Sequence, residues 1–165
     1  MTLTPLKTPI TADVAKAHID QHSVFLTDVE GALPLGKGAA SRSEFPRNPG
    51  VYCVFEDGDL IYVGETGDLN ERMRDLLDTR SHTLRRSLGK AKFGDHPAYQ
   101  PASPSVKFPQ EIESLLTQFM LEHLKVKAAP VILGRKEIEE KLIEDKKPKY
   151  NTRERRGEVV EESGS

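Results

Sequence analysis

At 165 residues, with 36% apolar and 30% charged side chains, the chain suits one globular domain with appendages and excludes a fibrous or membrane-embedded protein. No run approaches the roughly 20 apolar residues of a bilayer span, no basic-then-apolar leader opens the chain, and the single cysteine, Cys53, cannot close an internal disulfide; a cytoplasmic protein is expected. The net charge of −2 argues against a uniformly basic nucleic-acid binder, yet Arg72 to Lys92 carries seven Lys or Arg against only Asp75 and Asp78.

Residues 1–10 read as a frayed arm, and Thr11 can cap a short helix reaching about Gln21. Residues 30–48, with Gly31, Pro34, Gly36 and Gly38, are loop-like; Arg42, Ser43 and Arg47 could touch phosphate there, although a solvated loop is the simpler account. Two runs rich in β-branched and aromatic residues follow, Gly50 to Glu56 and Leu60 to Gly64, flanking Asp57-Gly58, a strong hairpin signal. A three-residue loop (57–59) would pair Tyr52 with Gly64 and Tyr62 with Val54, so that both phenols share one face. A two-residue loop would put them on opposite faces, so the three-residue loop is expected.

Asp68 and Glu71 have the form of a capping box opening a helix over 68–78, whose stripe is Leu69, Met73, Leu76 and Leu77. Arg72 falls on the margin of that stripe. Ser81 or Thr83 can cap a second short helix ended by Gly89, which would cluster Arg85, Arg86, Lys90 and Lys92 for phosphate contact or simply present a solvated basic face. His82 reads equally as a phosphate-orienting group, a proton shuttle or a surface histidine. Prolines 97, 101, 104 and 109 make residues 94–109 irregular. A core helix runs from Pro109 to about Glu122, a third strand covers Leu124 to Lys127, and a last helix spans Arg135 to Asp145 with Glu139 on its buried margin. Residues 152–165 read as a disordered charged tail.

Gly50-Val51-Tyr52, Tyr62-Val63-Gly64, Arg72, Glu139 and Pro148-Lys149-Tyr150-Asn151, in that order, resemble the GIY-YIG endonuclease family, and the closing helix with its Pro-Lys-Tyr-Asn is similar to the N-terminal nuclease domain of the UvrC excinucleases. The resemblance covers residues 48–152. It implies an α+β fold, a small antiparallel three-stranded sheet flanked by helices, preceded by an N-terminal extension (1–47) and followed by the tail (153–165). By the same resemblance Tyr52, Tyr62, Arg72, Glu139 and Asn151 are catalytic, Glu139 holds Mg²⁺ (or Mn²⁺), and Gly64 lets backbone approach the phosphate of bound DNA. Nearby Mg²⁺ and Arg72 would pull a phenol's acidity toward the working range of a base; which tyrosine serves stays open, and Asn151 would hold either the helix end or the metal's waters. Two departures stand out. Glu65 replaces the lysine of many relatives, and Leu76 replaces the histidine of homing and restriction members. The implied function is a metal-dependent, structure-directed or weakly specific DNA endonuclease of repair or processing; the alternatives are an inactive nucleic-acid-binding module of the same fold and a domain acting on protein partners. Oligomeric state is not legible.

Overall fold

The computed structural model describes residues 11–36 and 43–151. The expected arm at 1–10, Arg42 and the expected tail at 152–165 therefore lie outside the described residues. The elements are α1 (Ala12–Thr27), β1 (Leu33–Pro34), β2 (Gly50–Glu56), β3 (Asp59–Thr66), α2 (Leu69–Asp75), α3 (Thr83–Phe93), α4 (Gln110–His123), β4 (Leu124–Pro130) and α5 (Arg135–Lys146). The strands form one antiparallel sheet in the order β1-β4-β2-β3. The α+β class is as expected, and a two-residue fourth strand, β1, extends the three-stranded sheet along β4.

The hairpin reaches the expected pairing by another route. Glu56 pairs with Asp59, so the loop is the two residues Asp57 and Gly58, both at positive φ (48° and 92°), as a tight right-twisted hairpin turn needs. The register then shifts: Phe55 faces Leu60 but Val54 faces Tyr62, leaving Ile61 as the extra residue of a β-bulge. That single insertion restores the parity a three-residue loop would have given. Tyr52 faces Gly64, and both tyrosines project from one side of the sheet.

Both faces of the sheet are covered. Tyr52, Val54, Ile61, Tyr62 and Val126 pack against Leu69 and Met73 of α2, Leu84 and Leu88 of α3, and Ile112, Leu116 and Met120 of α4. Val51, Cys53, Phe55, Val63 and Ala129 pack on the other side against Leu26 of α1 and Ile138 and Leu142 of α5. Cys53 is a buried core residue whose thiol burial pushes up to about 12, far from any reactive thiolate. The helix begun at Thr11 runs to Thr27 rather than Gln21, since Ile19 and Leu26 have an apolar face to cover. Likewise β4 continues past Lys127 to Pro130, paired through Gly50 at its far end. Lys127, on the α1 side, is buried and donates from Nζ to the carbonyls of Asp28 (3.2 Å) and Glu30 (2.6 Å), tying the end of α1 to the sheet.

Two connections decide where the site falls. The amides of Leu69 and Asn70 bond to the carbonyls of Asn48 and Pro46, so the entry to β2 is laced to the start of α2. At the other end Lys147 adopts a left-handed C-cap (φ 46°), Pro148 stops α5, and a turn closed by Asn151 N–H to Pro148 O returns the chain to the rim of β3.

Candidate active site

Tyr52 and Tyr62 stand side by side on the sheet with ring centroids 6.1 Å apart, and both are nearly enclosed, at 1% and 4% exposure. His82 completes an aromatic cluster, 6.2 Å from Tyr52 and 5.3 Å from Tyr62 by ring centroids. Its Nε2 lies 2.8 Å from Tyr52 Oη, while its Nδ1 accepts the backbone N–H of Leu84 at 3.0 Å. His82 is thus the N-cap of α3, a place expected for Ser81 or Thr83, and the helix runs through Gly89 to Phe93. Histidine is not among the side chains usually chosen for that position, which is why its partner could not be read from the sequence.

Arg72 reaches the same cluster from α2. Asp68 caps that helix by accepting from Glu71 N–H, and Arg72 Nη1 lies 3.7 Å from Asp75. Its Nε is buried with no hydrogen-bond partner among the described residues. A buried donor without an acceptor is costly and uncommon. Glu139, 8% exposed, lies on α5, which packs beside the edge strand β3 from the far side of the sheet, near enough for its charge to act on Tyr52. Burial pushes the Tyr52 phenol well above its ordinary range, Tyr62 and Glu139 push the same way, and the Arg72 guanidinium opposes them without prevailing. The expected lowering by Arg72 is therefore outweighed by desolvation. Tyr52 is a neutral phenol.

Residues 48–163 match the GIY-YIG catalytic domain family. The chain belongs to that family of nucleases. Over 49 residues it is 39% identical to the UvrABC system protein C of Haloquadratum walsbyi, a stretch covering 30% of this chain and 8% of that protein. Among solved structures it is similar to the GIY-YIG N-terminal endonuclease domain of UvrC from Thermotoga maritima bound to magnesium, at 22% identity and a TM-score of 0.39 over 68% of this chain and 92% of that one. A tyrosine-to-phenylalanine variant of the same domain gives 21% identity and 0.39 over 69% and 93%.

The GIY-YIG glycines have packing reasons in this chain. A Cβ at Gly64 would stand 2.4 Å from Cζ and Oη of Tyr52. The glycine facing Tyr52 makes room for the phenol, rather than for a phosphate as expected. At Gly50 a Cβ would meet Ala129 O and Leu69 Cδ1, each at 2.5 Å, so this glycine lets β2 lie against both β4 and α2. Asn151 spends its amide on β3: Oδ1 accepts Val63 N–H at 2.7 Å and Nδ2 donates to Val63 O at 2.8 Å. These bonds fasten the turn that follows α5 to β3, not to the end of the helix itself. Glu65 leans toward the α5 side, where its carboxylate pairs with Arg135 at 3.1 Å, so it does not confront the tyrosine face.

The expected phosphate-binding cluster does not assemble. Arg85 is buried, its guanidinium bonded to Thr79, Thr117 and Glu113, with an ion pair of 2.7 Å to the last. It braces α3 against α4 and offers nothing to a phosphate. The α4 stripe expected to be plain core thus carries Glu113, a buried-network carboxylate that the apolar pattern hid. Arg86 Nη1 bonds the carbonyls of Thr79 (2.8 Å) and Arg80 (3.1 Å). Lys92 pairs with Glu56 at 2.9 Å and lies over the Phe119 ring. Only Lys90 of the four remains exposed and without an ion-pair partner among the described residues. Helical spacing placed these cations on one element; α3 distributes them between core, carbonyls and the hairpin.

Among the described residues no three His, Cys, Asp or Glu side chains converge as a metal cage. The donors around the cluster are hard oxygens, one carboxylate and two phenols, which fits a hydrated Mg²⁺ or Mn²⁺ and not a site selecting soft metals.

Proposed function

We propose that this GIY-YIG protein hydrolyses phosphodiester bonds of DNA with the help of a divalent cation, acting on repair or processing structures rather than on a fixed sequence. The observation that carries the reading is the convergence of two phenols, a guanidinium with an unsatisfied Nε and one carboxylate, delivered by a hairpin and by helices from opposite layers. The catalytic unit is residues 48–152, with the extension before it covering the second face of the sheet.

Arg72 pairs with the scissile phosphate, its planar fork meeting two oxygens and neutralising charge as it gathers. Glu139 would hold Mg²⁺ or Mn²⁺, which when bound polarises the phosphate and lowers the acidity barrier of a coordinated water. Tyr52, kept neutral by burial, acts as a hydrogen-bond donor. Tyr62 is then the phenol that, once it has released its own proton to solvent, takes the proton of the attacking water. Asn151 keeps β3, and with it Tyr62, from shifting along its edge.

The test is a panel of duplex, nicked, flap and four-way DNA incubated with Mg²⁺ or Mn²⁺. Cleavage is expected for the wild type, and Glu139→Gln is expected to abolish it while leaving a gel shift intact. The enclosure of both phenols favours one competing reading, a nucleic-acid-binding module without turnover; a protein that shifts these DNAs yet leaves all of them uncut in both metals would establish it. The partnership with DNA belongs to this proposal.

A further inference from the structure

We propose that His82 is a positioning residue for Tyr52: the Leu84 amide fixes its tautomer, so that Nε2–H donates to Tyr52 Oη and turns the Tyr52 proton toward Tyr62. This rests on the nuclease reading only for its kinetic consequence.

A backbone N–H is always a donor, so Nδ1, 3.0 Å from Leu84 N, must be the unprotonated acceptor. In a neutral imidazole the proton then resides on Nε2, which faces Tyr52 Oη at 2.8 Å. Tyr52 Oη receives that bond and gives its own hydrogen elsewhere. The adjacent polar group is the Tyr62 phenol, whose ring lies 6.1 Å away by centroids; its nearness pushes the Tyr52 phenol up, the direction expected when Tyr52 is the donor between the two. The sequence of donors is Leu84 N–H, His82 Nε2–H, Tyr52 O–H, with Tyr62 as the last acceptor. Every bond points the same way, so negative charge appearing on Tyr62 is stabilised and negative charge on Tyr52 would break the order. His82 is 2% exposed and anchored at a helix start, which gives the array little freedom to reverse. No phosphate can reach an imidazole so enclosed while Tyr52 covers Nε2, which distinguishes this role from the phosphate contact expected from sequence.

Two variants separate the halves of the imidazole. His82→Asn keeps an acceptor for Leu84 N–H, since asparagine is a good N-cap, but is too short to reach Tyr52. His82→Gln can extend its amide toward Tyr52 but gives up the cap. Expected results are a kcat at least about tenfold lower for His82→Asn with KM and melting temperature near wild type, and a better kept kcat with a lower melting temperature for His82→Gln. The loss in His82→Asn should vanish when Tyr52→Phe is already present. An unchanged kcat in His82→Asn, or the same loss in the Tyr52→Phe background, would overturn the inference. The tautomer is read separately from ¹⁵N chemical shifts of the full-length protein: pyridine-type Nδ1 with pyrrole-type Nε2 supports it, and the opposite pattern sinks it. A protein that cuts no DNA but shows the expected nitrogens would defeat the nuclease reading and leave the positioning intact.

Discussion

At the scale of single residues, the site is built by what is left out as much as by what is placed. Gly64→Ala would set a methyl group 2.4 Å from Tyr52; overpacking of this kind costs about 1–3 kcal/mol, and the phenol can yield only by leaving His82. A fall in melting temperature together with lost cleavage is the expected outcome, and a fully active Gly64→Ala protein would show that Tyr52 has slack. Arg72→Lys retains charge but not the two-pronged donor geometry, so cleavage is expected to fall about 10²-fold or more with binding little changed, read by single-turnover kinetics. The chemistry of Tyr52, Tyr62, Arg72 and Glu139 was legible because motif order carried it. Their electrostatics were not, because desolvation of Tyr52 depends on helices that only the fold brings over it. The glycine's partner was legible, since the expected hairpin already set Tyr52 opposite Gly64; that the phenol lies close over the glycine was not, because pairing alone does not fix a rotamer.

At the scale of elements, the two-residue turn and the bulge at Ile61 act together. Deleting Ile61 should remove the bulge while leaving Val54 opposite Tyr62 and Tyr52 opposite Gly64, so that both phenols stay on one face. Retained cleavage with a lower melting temperature, from the loss of a buried side chain, is expected; lost cleavage with retained β-sheet circular dichroism would mean that the site needs the local twist of the bulge. The parity of the tyrosines was readable from their spacing, whereas the means of achieving it was not, since a bulge and a longer loop give the same count. Between α3 and α4 the Arg85–Glu113 pair sets another expectation. Burial raises the Glu113 carboxyl, but bonds from Thr79 and Arg85 outweigh it and hold the group below its ordinary value. A carboxyl lowered in the folded state contributes stability that is complete above its unfolded value of about 4.3 and disappears as pH falls through the folded one. The melting temperature should therefore drop on acidification below that range, and Arg85→Met should flatten this limb. Arg85→Ala, which leaves the partly exposed Glu113 carboxylate without its ion pair, is expected to cost about 1–3 kcal/mol in denaturant unfolding.

Over the whole molecule, the sheet serves as a partition. One face, under α2, α3 and α4, carries the phenols and the guanidinium; the other, under α1 and α5, carries the helix whose margin supplies Glu139. Chain order anticipated this, because the motif elements are spread from Gly50 to Asn151 and can meet only through the sheet. What it did not show is that three of the four cations expected to cluster on α3 are spent within the fold. With Arg85, Arg86 and Lys92 so engaged and a net charge of −2, the α3 face can neutralise few phosphates. DNA binding should be weak and its dependence on salt shallow, a log–log slope of about −2 to −4; a slope near −8 in a salt titration would reveal a cationic surface beyond these residues.

Asn151 lends β3 a paired neighbour where the sheet would otherwise stop, its amide occupying both main-chain groups of Val63 while Tyr150 N–H takes Ile61 O. An unsheltered rim of this sort invites recruitment of foreign strands. Proteolytic clipping ahead of Tyr150, or Asn151→Ala, should thus do more than slow the nuclease: it should convert a well-behaved solute into one that self-associates through β3, visible as turbidity and thioflavin fluorescence on gentle warming.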